Sequence, residues 1–140
     1  MRRTILGGVL VLALLGAGAA LAKAKTDSVH VAVSPARGRY GTKYAVKVTG
    51  TAVTSSSLIV AMAKKGLACP ASYAKGLKSL YGITSVAGKT VQPMTVHGKL
   101  ATTLHAEMGV KQPGKYRICG YLNDGRTTLA LGSAPFAVTR

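Results

Sequence analysis

Three acids and three histidines are all that this 140-residue chain offers for acid–base chemistry. They are Asp27, Glu107 and Asp124, with His30, His97 and His105. General acid–base catalysis needs such groups held together with tuned pKa values. Asp27 falls ahead of the first strand pattern, and Asp124 sits where hairpin turns favour aspartate. Glu107 and His105 stand two residues apart and share a strand face. They are the one pair on which a hydrolase could be built, and this is the weakest alternative. No Gly-x-Ser-x-Gly, HExxH or phosphate-loop motif occurs. The expectation is a protein without catalytic residues.

Metal chemistry is the next alternative. Met94, Met108, His97 and His105 bracket one stretch, and thioether with imidazole suits copper. Strand alternation opposes it, because both methionines have the opposite parity to both histidines. The histidines are eight residues apart, roughly 26 Å along an extended strand. Solvated histidines and core methionines are the better reading, and no cofactor is expected.

The two cysteines must be read with the N-terminus. Met1-Arg2-Arg3 is a basic start, residues 5–20 are apolar, and Ala20-Leu21-Ala22 gives a small-x-small cleavage pattern. That order is a secretory signal peptide over 1–22. The alternative is an uncleaved membrane anchor, since about 18 apolar residues can just span a bilayer. Glycines and alanines in the run favour cleavage. A secreted or cell-envelope location follows. In an oxidising compartment two cysteines pair. A Cys69–Cys119 bond would close a loop worth about 4 kcal/mol in the chain-entropy picture.

Charge is the outlying property. Nineteen Lys and Arg face the three acids, for a formal +16. Such a surface repels itself, stays soluble and attracts polyanions. Anionic cell-wall polymers or a membrane surface are the expected partners. Lys64 and Lys65 form the one adjacent basic pair outside the leader, and Lys75 and Lys78 follow nearby. These four are the candidate polyanion-binding residues. Other charges are dispersed, so no specific nucleic-acid partner is expected, and the chain should be a monomer.

The elements that must carry these residues are short alternating runs broken by Gly, Pro, Ser and Asn. That pattern predicts an all-β sandwich of seven or eight strands. After a flexible lead, 23–27, the domain spans 28–140. Strands are expected over 28–34, 43–51, 58–62, 91–94, 96–108, 115–122, 127–131 and 135–139, with a polar loop at 54–57. Between 69 and 82 the alternation stops. Tyr73, Leu77, Leu80 and Tyr81 are spaced as one face of a short helix, with Ser72 as its N-cap.

The strand after Pro113-Gly114 is the most informative. Alternation puts Tyr116, Ile118, Gly120 and Leu122 on one face and Arg117, Cys119 and Tyr121 on the other. In antibody domains a tyrosine lies two residues before the core cysteine; here the gap is three. The disulfide should therefore lie outside the sandwich, pinning the 69–82 excursion onto a sheet with Tyr121 beneath Tyr73, Leu77 or Tyr81.

The run Val46-x-Val48-x-Gly50-Thr-Ala, then Cys69-Pro-Ala-Ser-Tyr73, then Gly114-Lys-Tyr-Arg-Ile-Cys-Gly-Tyr-Leu122 resembles secreted Ig-like β-sandwich proteins of actinobacterial type. That resemblance implies a signal peptide, an Ig-like sandwich, and a disulfide joining a mid-domain helix to the Gly-x-Tyr-x-x-Cys-x-Tyr-Leu strand. It implies no activity and no catalytic residue. The combined expectation is an exported binding or structural module of the cell envelope.

Overall fold

A computed structural model of the chain describes residues 25–86 and 93–140. The signal peptide and the start of the lead, as well as Val91 and Gln92 of the expected 91–94 strand, lie outside the described residues. Eight strands are formed: β1 (Ser28–Ser34), β2 (Arg37–Gly38), β3 (Lys43–Ala63), β4 (Leu80–Gly82), β5 (Thr84–Ser85), β6 (Met94–Glu107), β7 (Gly114–Asp124) and β8 (Thr127–Val138). Among the described residues no helix is long and apolar enough to cross a membrane.

The pairing defines two layers. In one, β1 pairs with the first half of β3, which pairs with β6, which pairs with β5. In the other, β4 pairs with the second half of β3, which pairs with β7, then β8, then β2 in parallel. This is the strand arrangement of an immunoglobulin-like β-sandwich. Tyr116 adds a further mark of that fold. Its hydroxyl donates to the Gln112 carbonyl at 2.8 Å, closing the corner before β7 as a tyrosine corner does.

β3 is the element that joins the layers. The 54–57 stretch is not a loop, as the polar run suggested, but part of β3. The register slips between Ala52 and Ser56, and the strand folds back there. Tyr44 and Met62, from its two ends, consequently line one cleft. The polar residues serve this bend. Ser56 is buried, and its hydroxyl is satisfied by the Thr54 carbonyl at 2.9 Å. The Val53 N–H, freed at the slip, donates to the Asp27 carboxylate at 2.8 Å. Asp27 thus ties the lead segment to the bend. Just before the slip, Gly50 has φ +141°, and a Cβ there would collide with the Ser28 carbonyl. Only glycine serves at that position.

The core lies between the layers. Val46 and Val48 of β3, Leu100 of β6, Ile118 and Leu122 of β7 and Phe136 of β8 are all buried there, with Tyr44 against Phe136 at 5.3 Å. Each such side chain withdrawn from water contributes about 1.5–3 kcal/mol. β1 closes over the β7–β8 pair where both strands carry glycine. A Cβ on Gly120 would press on Val31, and one on Gly132 on the Val29 backbone.

The 69–82 excursion is the second departure from expectation. It forms no α-helix, but one turn over 72–76, a 3-10 turn at Leu77–Ser79, and then β4. Ser72 does cap locally, accepting the Lys75 N–H at 3.4 Å. Gly76 then breaks the run, at a place where a Cβ would collide with the Pro70 ring. Tyr73 and Leu80 pack on the buried side, whereas Leu77 and Tyr81 are exposed; all four border one shallow depression, but a turn and a strand bring them there and no helix does.

Candidate functional site

The outer side of β7 carries a second, small core. Cys119, Tyr121 and Ala63 are fully buried there, with Ile59, Cys69, Tyr73 and Leu80 packed around them. β-alternation produces this directly: Ile118 and Leu122 point to the main core, Cys119 and Tyr121 away from it. Cys69 and Cys119 are joined by a disulfide. The Tyr121 hydroxyl donates to the Pro70 carbonyl at 2.7 Å, and its ring meets Tyr73 at 5.4 Å. The Tyr73 N–H donates to the Thr128 hydroxyl, which donates to Asn123 Oδ1 at 2.8 Å. Covalent, aromatic and hydrogen-bond contacts together pin the crossover to the outside of the sheet. Burial pushes the Tyr121 phenol up to about 12, with Tyr73 adding to the shift.

The candidate lysines separate on this frame. Lys64 is half-buried, its ammonium 5.3 Å over the Tyr81 ring and its N–H donating to the Ser79 carbonyl. Lys65 is exposed with its stem along Gly114, and Gly66 donates to the Lys115 carbonyl at 2.9 Å. Lys78 is exposed beside Ser79. These three belong to the end of the sandwich where β3 both starts and finishes. Lys75 is exposed in the turn held by Thr128, toward the β7–β8 hairpin.

The structure brings further cations to that end. Lys115 and Arg117 share the face of Cys119, and Arg117 donates to the Ser133 hydroxyl at 3.2 Å. Arg37 lies across β8 from Lys115, since both pair with Ala137. Gly41 donates to the Met108 carbonyl, which sets the Arg39–Tyr40 loop beside the β6–β7 loop. Lys111 there lies 5.0 Å over the exposed Tyr40 ring. Sequence reasoning missed these residues as a group. For Lys115 and Arg117 the signal was present, because strand parity already gave them the excursion's face.

The acids divide oppositely. Asp27 and Asp124 line one groove at the hairpin end, with Val53 between them in the chain. Only Glu107 stands at the basic end. Among the described residues cations therefore exceed acids more at the basic end than at the hairpin end, where Lys25 lines the same groove as the two acids. A field of this kind acts over about 8 Å at physiological salt.

The residues weighed for other chemistry are not brought together. His97 and His105 are exposed toward opposite ends of β6, and His97 Nε2 lies 3.2 Å from the Val53 carbonyl. Met108 is buried in the main core and Met94 packs against it. Among the described residues no group of three or more His, Cys, Asp and Glu could hold a metal. His105 and Glu107 open onto different depressions.

Glu107 lines the more defined of these, a cleft of about 420 Å³ between the β4–β5 corner and the β6–β7 loop. Tyr44, Met62 and Ile83 form its apolar floor, and Val110 and Lys111 its rim. Burial pushes the Tyr44 phenol up to about 12, so it stays neutral there.

An Ig-like sandwich with a crossover pinned outside one sheet is thus the class that fold and site define. No protein-family model and no curated protein matches the chain. Among solved structures it is similar to the CARDB domain of the PF1109 protein from Pyrococcus furiosus, solved in complex with di-metal ions. Identity is 16%, the alignment covers 84% of this chain and 97% of that one, and the TM-score is 0.48.

Proposed function

We propose that the protein is an exported, non-enzymatic binding module held in the cell envelope by anionic polymers. The observation that carries this reading is the gathering of Arg37, Arg39, Lys64, Lys65, Lys111, Lys115 and Arg117 at one end of the sandwich, against the single acid Glu107. Export is supported by the basic start, the apolar run and the Ala20-Leu21-Ala22 pattern, together with the disulfide. The segment after β3 supplies Lys64 and Lys65, the excursion supplies Lys78, and β7 supplies Lys115 and Arg117. Binding of this kind trades condensed counterions for protein cations, so it weakens linearly in log salt.

The test is binding to a soluble poly(glycerol phosphate) across a salt series. Each cation that touches a phosphate should steepen the salt dependence, and removing it should lower the slope by about one unit, as it does for nucleic acids. A variant combining Lys65→Glu, Lys115→Glu and Arg117→Glu should bind weakly and with a flatter slope. A variant combining Lys47→Glu, Lys99→Glu and Arg126→Glu removes as much charge elsewhere and should bind much better than the first. Equal weakening in both would leave net charge, and no site, as the cause.

A further inference from the structure

The cleft at the basic end holds an acid and an apolar lining that polymer binding does not use. We infer that it binds a zwitterionic ligand the size of an amino acid or a peptide terminus, with the ligand's ammonium on Glu107 and its anionic group on Lys111. Met62, Ile83 and Val110 receive the apolar part. This goes beyond the polymer reading and does not depend on it.

Three observations lead there. The first is the placement of charge. The chain has three acids, and two are accounted for at the far end: Asp27 holds the Val53 N–H, and Asp124 ends β7 at the hairpin. Glu107 alone sits among the cations, half-buried at the end of β6, with its side chain in the cleft wall. Lys111 lines the same cavity with its ammonium resting 5.0 Å over the Tyr40 ring, and among the described residues no ion pair joins it to Glu107. A ligand carrying both charges would meet Glu107 in the wall and draw the Lys111 ammonium from its weak, exposed contact with Tyr40. Lys43, opposite Glu107 on β3, is exposed and does not line the cleft. A cross-strand charge pair of that kind is weak and leaves the carboxylate available.

The second observation is size and lining. About 420 Å³ is in the range of small-molecule sites, which combine apolar walls with few polar groups. The third is neutrality of the floor. The Tyr44 phenol is kept protonated by burial, so it adds a hydrogen-bonding group without a competing charge. Tyr81 lines the cleft with the Lys64 ammonium 5.3 Å over its ring, so a further cation stands close to it.

Ligand-observed NMR on the full exported domain reads the idea directly, with L-leucine, N-acetyl-L-leucine and L-leucinamide as probes. L-Leucine should bind at about millimolar concentration, and each blocked analogue about tenfold more weakly. Glu107→Gln should abolish the preference over N-acetyl-L-leucine while keeping the preference over L-leucinamide. Lys111→Gln should do the reverse. This crossed pattern cannot come from general loss of structure. Equal binding of the three probes, no saturable binding of any, or a parallel loss in both variants overturns the proposal. Glu107→Gln should leave poly(glycerol phosphate) binding intact or stronger, so the two readings fail separately.

Discussion

β7 faces two cores of different kinds. Its inner side, with Tyr116, Ile118 and Leu122, meets apolar side chains from both layers. Its outer side, with Cys119 and Tyr121, meets only a short crossover and a few partly buried neighbours. On the inner side area alone is sufficient, and no cross-link is present. On the outer side the buried area is small, and ordering the crossover costs about 1–2 kcal/mol per residue. A disulfide, a buried phenol and the Thr128–Asn123 relay make up the difference. Where hydrophobic area is short, specific bonds take over its task.

The sharpest way to break this contrast is to hollow each core. Phe136→Ala removes a fully buried ring that packs on Tyr44, and should cost about 3–5 kcal/mol. Urea denaturation should show one cooperative transition moved to much lower urea. Because the inner core spans both layers, amides of β3, β7 and β8 should lose exchange protection together. Loss confined to one layer would mean that the sandwich is not one unit.

Replacing both Cys69 and Cys119 with serine should cost less, about 2–4 kcal/mol, through the unfolded chain's regained freedom. It should also leave a different signature. The Tyr73 and Gly76 amides, bonded to Thr128 and the Ser72 carbonyl, should begin to exchange by local opening while β7 stays protected. If they keep global protection, the phenol and relay are enough to hold the crossover, and the two cores are less different than their packing implies.

Much of this is legible in the sequence. Alternation along Tyr116 to Leu122, with Cys119 three positions after Tyr116, places the disulfide outside the sandwich. Local parity is all that inference needs. The fold-back of β3 is not legible, because Thr54, Ser55 and Ser56 look like a loop. The Ser56 hydroxyl, the Thr54 carbonyl and Asp27 serve a bend within one strand, which only tertiary pairing reveals. The helix over 69–82 fails for a related reason: its apolar spacing is real, but Tyr73 is claimed by Tyr121 and Leu80 by β4 pairing. The cleft is hidden more deeply. Tyr44 and Met62 meet only because β3 returns, and Glu107 and Lys111 join them from the end of β6 and the loop beyond. Lys115 and Arg117 are within reach of parity, whereas Arg37 and Lys111 arrive through non-local packing that no periodicity announces.

The smallest expected effect compares the two cores by their tyrosines. Burial pushes both Tyr44 in the inner core and Tyr121 in the outer one up to about 12, from an ordinary value of 10. Below pH 10 both are protonated whether the chain is folded or not, so neither affects the pH dependence of stability. Between pH 10 and about 12 the unfolded chain loses these protons and the folded chain keeps them. The folded state then holds more protons, and stability falls as pH rises through that window. Tyr44→Phe and Tyr121→Phe should each flatten the fall measured by urea denaturation between pH 9.5 and 11.5, at fixed salt. Their effects at pH 7 should differ. Tyr121→Phe leaves the Pro70 carbonyl without its donor and should lose about 1–2 kcal/mol there. Tyr44→Phe, whose phenol borders the cleft, should lose less. If Tyr121→Phe flattens nothing, the outer core admits water to the phenol, and the disulfide alone holds the crossover to the sheet.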